Sequence, residues 1–133
     1  MKCREFIENL HARDQARAQY ESIKSIIDSI NREKMAGNYT AAELAQEAAQ
    51  SNALEIQVRS GWASMGEKLI PEEFYILLCT GGPAVRVRGK LRDGEPCRAW
   101  LECQDWTTPW STYSDADEII LIEYASFFYF GEG

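Results

Sequence analysis

The sequence predicts an α+β domain: an antiparallel sheet of about four strands, a C-terminal helix on one sheet face, and helices at the N-terminus. Three observations carry this expectation. Apolar residues recur at threes and fours as far as Met35, then at twos from Leu54 to Cys103, with turn-forming residues at the changes of period. Between those turns the strands follow one another at hairpin spacing. With 133 residues and 45% hydrophobic content the chain can bury one sizeable core and not two. Residues 1–53 are therefore read as a helical segment and 54–133 as the antiparallel α+β core of one compact unit.

The elements follow in order. From Cys3 to about Met35, Phe6, Ile7 and Leu10 form one apolar patch, and Ala16, Tyr20, Ile23, Ile27 and Ile30 form a stripe. This predicts one long helix, or two broken near Asp14, stopped by Gly37-Asn38. Thr40-Ala41-Ala42-Glu43 has the form of a capping box and predicts a second helix to about Asn52. Leu54, Ile56 and Val58 then share one face of a strand, and Phe74 to Thr80 is an almost wholly apolar strand. Val85, Val87 and Leu91 alternate with Arg86, Arg88 and Lys90, as Ala99, Leu101 and Cys103 do with Arg98, Trp100 and Glu102. Asp93-Gly94 suits a type I′ hairpin turn, because both residue types accept positive φ. Gly61 to Pro71 is expected to be a mobile loop of small and polar residues. A closing helix is expected from Ser114 or Asp115 to about Tyr129, with Ile119, Ile122, Ala125 and Phe128 available to cover the sheet.

Charge and composition exclude several function classes. A net charge of -7 and a pI near 4.8 oppose direct binding to nucleic acid or an anionic membrane, both of which need a dense cationic face. No apolar run approaches a membrane span and the first residues lack the apolar block of a signal peptide, so a cytoplasmic protein is expected. Cys3, Cys79, Cys97 and Cys103 contain no C-x-x-C pair and are read as free thiols, Cys79 and Cys103 as small buried hydrophobes. Cys97 and Cys103 would lie on one face of a continuous strand and with Cys79 could make a soft-metal site, but close ligand pairs and a fourth ligand are lacking, so no metal or cofactor is expected. His11, the only histidine, reads as a solvated helix residue and not as part of a triad. Gly81-Gly82-Pro83 leads into a strand and not a helix, so it reads as a connection and not as a phosphate cradle. Arg86, Arg88, Lys90 and Arg92 form the one concentrated basic row. They can touch a phosphate backbone, but the stronger reading is that they pair across strands with Glu95, Glu102 or neighbouring acids.

After Arg98 there is no Lys or Arg, while Glu102, Asp105, Asp115, Asp117, Glu118, Glu123 and Glu132 accumulate among large aromatic residues. Such a surface suits a basic protein partner. Trp106 and Trp110 flank a threonine-proline turn and are candidate anchors, with an even alternative that one or both roof the sheet. Asp105, Asp115, Asp117, Glu118 and Glu123 are the candidate charges. Asp115 and Asp117 also suit a helix start, where carboxylates cap amides.

The runs Ile56-Gln57-Val58-Arg59-Ser60-Gly61-Trp62, Leu77 to Arg86 with its Cys79-Thr80-Gly81-Gly82-Pro83 centre, Gln104-Asp105-Trp106 and Phe128-Tyr129-Phe130-Gly131-Glu132 resemble small acidic proteins of phages and integrated mobile elements. The resemblance covers about residues 54–133; the helical residues 1–53 match no group. It implies genomic company in which inhibitors of host defence, including anti-CRISPR and antirestriction proteins, are frequent, and it brings no catalytic residues with it. Together with the charge, the expected function is a non-enzymatic anti-CRISPR-type inhibitor in the host cytoplasm. It would act as an acidic mimic that occupies the nucleic-acid-binding surface of a basic protein such as a Cas effector. A second class is a homo-oligomeric accessory or assembly protein, a homodimer through the stripe Tyr20, Ile23, Ile27 and Ile30. A metal-dependent nucleic-acid-processing enzyme using these carboxylates ranks last, since no lysine follows them to stabilise developing charge.

Overall fold

A computed structural model describes residues 2–106 and 108–131, with side chains from His11 onward. The patch expected of Phe6, Ile7 and Leu10 and the Cys3 thiol lie outside the described side chains, and Thr107 and Glu132 outside the described residues. The elements are α1 (Lys2–Met35), α2 (Tyr39–Ser51), β1 (Glu55–Ser60), β2 (Pro71–Cys79), β3 (Ala84–Arg92), β4 (Glu95–Gln104), β5 (Ser111–Tyr113) and α3 (Glu118–Ala125). The class is α+β, as the change of period predicts.

α1 is one unbroken helix, and its buried positions Ala12, Ala16, Tyr20, Ile23, Ile27 and Ile30 repeat at threes and fours. It closes in a Schellman motif: Gly37 takes φ 80°, Asn38 N donates to Glu33 O at 2.8 Å, and Gly37 N to Lys34 O at 3.1 Å. This tight close delivers the chain straight into α2, so Asn38 occupies the cap position and no side chain caps the helix. The capping box expected of Thr40 and Glu43 is therefore not formed, because the helix starts before Thr40.

The sheet has five strands in the order β1-β2-β3-β4-β5, every neighbouring pair antiparallel. The meander is the expected one with a fifth strand added, in which Ser111 to Tyr113 pair with Cys103 to Leu101. Val85 pairs with Cys103 and Val87 with Leu101 on the inner face, while Arg86 pairs with Glu102 and Arg88 with Trp100 on the outer face. Val85, Val87 and Leu101 are fully buried, so the alternation was read in the right register. Asp93 and Gly94 take φ 54° and 81°, both positive as a type I′ turn requires. Pairing shifts from Lys90 with Arg98 to Leu91 with Pro96, which leaves Cys97 as the extra residue of a bulge. The one-face row expected of Cys97 and Cys103 is broken there: Cys97 Sγ lies 3.5 Å from Lys90 O, while Cys103 is buried in the core. Cys79 is half-buried.

α1 lies over β3, β4 and β5, α3 lies over β4 and against α1, and α2 packs against α1. A single core cluster joins Ala12, Tyr20 and Ala49 of the helices to Phe74, Val87, Leu101 and Phe130. Gly89 sits in this layer because a Cβ there would come within 2.0 Å of Arg98 O and 2.7 Å of the Phe74 ring. The Phe74 ring in turn stacks on Phe130 at 4.6 Å between centroids.

α3 is shorter than the alternation of apolar residues suggests. It starts at Glu118, after the Asp117 cap, and its last carbonyls are met by tighter bonds from Phe127 N to Tyr124 O and Phe128 N to Ala125 O. The helix presents Leu121, Tyr124 and Ala125 inward and leaves Ile119 exposed, so Ile119 does not cover the sheet as expected. Gln50 donates to Phe127 O and thereby ties α2 to the turn after α3.

Candidate partner-binding surface

On the outer sheet face, alternation places charged residues of four strands in one layer. Arg59 donates to Glu73, with Nε 2.7 Å from Oε2, and the other Glu73 oxygen lies 3.5 Å from Arg88 Nη2. Arg88 Nη1 is 3.9 Å from Glu102 Oε2, and Arg86 Nε donates to Glu102 Oε1 at 2.8 Å. Trp100 Nε1 donates to the same carboxylate at 3.2 Å. The Arg86 guanidinium also lies 4.0 Å over the Trp110 ring and 5.4 Å from the centre of Tyr75. The Arg59 hydrogen bond holds the Glu73 carboxyl below its ordinary value of 4.5, whereas burial raises the Tyr75 phenol. An open cavity of 280 Å³ lies over Gln57, Arg59, Glu73, Tyr75, Arg86 and Arg88.

This arrangement engages half of the basic row, Arg86 and Arg88, while Lys90 and Arg92 are exposed. Arg86 and Arg88 are engaged by Glu102 and Glu73, so they do not form a free cationic strip for phosphates. Glu102 was foreseen as a partner. Glu73 was not, although its position one residue before Phe74 puts it on the outer face by the same alternation.

The acidic candidates fall into three groups. Asp105 is buried, its Oδ1 accepting from Trp106 N at 2.8 Å while its own N donates to Thr108 Oγ1 at 3.0 Å. It shapes a turn and offers no exposed charge, contrary to the expectation that it would supply charge to a partner. Asp117 Oδ1 accepts from Ile119 N at 2.9 Å, and Glu118 accepts from both Arg98 and Ala99 N, so these two fix the start of α3. Asp115 and Glu123 are exposed, and among the described residues neither has a cation within ion-pair distance.

The two tryptophans divide as well. Trp110 is half-buried on Arg86, roofing the outer face, while Trp106 is 78% exposed. Six steps of extended chain lead along β4 from the Glu118 contact at Ala99 to Asp105, a distance of about 20 Å. Trp106 and Asp115 therefore stand beyond opposite ends of β5, the short strand at one edge of the sheet. Among the described residues no group of three or more His, Cys, Asp or Glu side chains is placed to hold a metal ion. Comparison of the chain with protein-family models, with curated proteins and with solved structures gave no match.

Proposed function

We propose that the chain is a non-enzymatic inhibitor that binds a basic nucleic-acid-binding protein, in the manner of an anti-CRISPR antagonist of a Cas effector, through the β5 edge. The observation that carries this reading is the flanking of β5 by an exposed tryptophan at one end and an uncompensated carboxylate at the other. Asp115 and Glu123 supply a field that draws in a cationic groove, and Trp106 supplies apolar area that is buried only in the complex. Asp105, Asp117, Glu118 and Trp110 hold this edge in shape rather than touch the partner. The resemblance to phage proteins supplies the class of target and the host cytoplasm as the place of action. In keeping with that, no helix among the described residues is long and apolar enough to cross a membrane.

The helical stripe that would join subunits in an assembly protein is occupied within the chain: Tyr20, Ile23, Ile27 and Ile30 are each at most 7% exposed. The inhibitor reading is tested by titrating a purified Cas effector with the chain in the presence of labelled target DNA, at low and at high salt. Displacement of the DNA that weakens as salt rises, with no retention of DNA by the chain alone, is the expected result. Displacement unaltered by Asp115→Lys with Glu123→Lys overturns it.

A further inference from the structure

The helices cover one side of the sheet unevenly. They lie over β3 to β5, and among the described residues no helix packs broadly on the inner face of β1. Ile56 and Val58 pair with the fully buried Ile76 and Phe74, yet they are 41% and 45% exposed, and Leu54 just before them is 58% exposed. Among the described residues β1 is also the sheet edge opposite β5, with no strand on its outer side. Sheet edges are commonly blunted by interior proline, by like charges or by a bulge in mid-strand. β1 has no proline, carries one charge of each sign, and shifts register only at its end, between Arg59 and Ser60.

We propose that a second copy of this chain pairs with β1 along that edge, antiparallel, about a two-fold axis at Gln57. This joins two five-stranded sheets into one continuous sheet. In this register Gln57 faces itself, Ile56 faces the partner's Val58, and Glu55 faces the partner's Arg59. The two-fold makes each of the last two contacts twice. Moving the axis to Ile56 puts Arg59 opposite Ala53, and moving it to Val58 puts Arg59 opposite Gln57, so only the axis at Gln57 sets unlike charges face to face. Arg59 is equipped for a second carboxylate: it engages Glu73 through Nε and Nη2, which leaves Nη1 for the partner's Glu55.

Apolar surface at the ends of the strand fits the same register. Ser60 faces the partner's Leu54, and the loop beyond Ser60 carries Trp62 and Met65, both fully exposed. That loop was expected to be small and polar, but at these positions it offers large apolar side chains beside the partner's exposed Leu54. The interface lies on the sheet edge opposite β5, so it stands or falls separately from the inhibitor reading.

Sedimentation of the full chain across concentration tests the pairing. The wild-type chain should form dimers, and Glu55→Arg or Arg59→Glu alone should each raise the dissociation constant about tenfold or more by setting like charges opposite each other. An equimolar mixture of the two variants should dimerise again, because unlike charges then meet at both contacts. Gln57→Cys gives an independent measure that keeps both members of each ion pair and removes only the Gln57 hydrogen bond to Glu55, since residues facing across a two-fold crosslink readily on oxidation. It should form a disulfide-linked dimer much faster than Glu55→Cys or the wild-type chain. A wild-type monomer at hundreds of micromolar overturns the proposal. So does a dimer indifferent to both charge variants in which Gln57→Cys crosslinks no faster than Glu55→Cys, the result expected of pairing through the helices or another surface.

Discussion

Arg98 and Glu118 fasten the start of α3 to β4, Arg98 Nε lying 2.7 Å from Glu118 Oε2 while the same oxygen accepts from Ala99 N at 3.0 Å. The Arg98 hydrogen bond, followed by that of the Ala99 amide, holds the Glu118 carboxyl below 4.5, as Arg59 holds that of Glu73. A carboxyl depressed in the folded state contributes stability that is fully present above its unfolded value and is lost as pH falls through its folded value. The melting temperature should therefore be flat near neutrality and fall as pH drops below about 4.5. In the double variant Glu118→Gln, Glu73→Gln that acid slope should be shallower, as melting curves across pH would show. An unchanged slope would remove these two pairs as its source.

Val87 is fully buried and pairs with Leu101 on the inner face. Val87→Asp should unfold the domain, because an unpaired buried carboxylate costs several kcal/mol against a total stability of roughly 5 to 15 kcal/mol. Lys90→Asp, exposed on the outer face of the same strand, should leave the chain folded. Circular dichroism of the two variants compares the faces directly.

Gly89→Ala places a methyl group against Arg98 O and the Phe74 ring, where no room exists. A loss of about 1 to 3 kcal/mol or more is expected by denaturant titration, as for other overpacked core sites. Phe74→Leu in the same chain should recover part of the loss by vacating the ring position, although the Arg98 carbonyl remains in the way.

Charge and anchor on the β5 edge should separate in kinetics. Asp115→Lys with Glu123→Lys removes exposed charge without disturbing the Asp117 cap or the Glu118 ion pair, and should slow association with a basic effector and lessen its salt dependence. Trp106→Ala should leave association nearly unchanged and speed dissociation about tenfold or more, as loss of a buried ring does. Surface plasmon resonance at two salt concentrations measures both.

The inner register and the long helix were legible because each rests on many residues of one period: the stripe from Ala16 to Ile30, and the alternation of Val85, Val87, Ala99 and Leu101. β5 was not, because its three residues, Ser111 to Tyr113, are too few to establish alternation. The end of α3 was hidden by its apolar surroundings, which continue past the helix into Phe127 and Phe128 with no breaking residue before Gly131. At the candidate surface, sequence showed where the acids accumulate but not which are occupied. Whether Asp105 faces solvent or its own turn, and whether Trp110 is free or lies on Arg86, depends on atoms brought together by folding. The bare inner side of β1 was equally hidden, since Ile56 and Val58 alternate as any half-buried strand does, and only the placement of α1 decides whether something covers them.

The Tyr20 hydroxyl accepts from Asp117 N at 3.1 Å, across 97 positions of sequence. On the ribosome this means that the first helix emerges long before its counterpart exists. Each strand can pair with the one just made, hairpin by hairpin, but Tyr20, Ile23 and Ile27 have no sheet to rest on until β3 and β4 have followed, and no α3 until Glu118 to Ala125 have been added. The nascent chain thus carries a bare apolar helix until those strands are made, and this is the stage at which it is most open to chaperones or to aggregation.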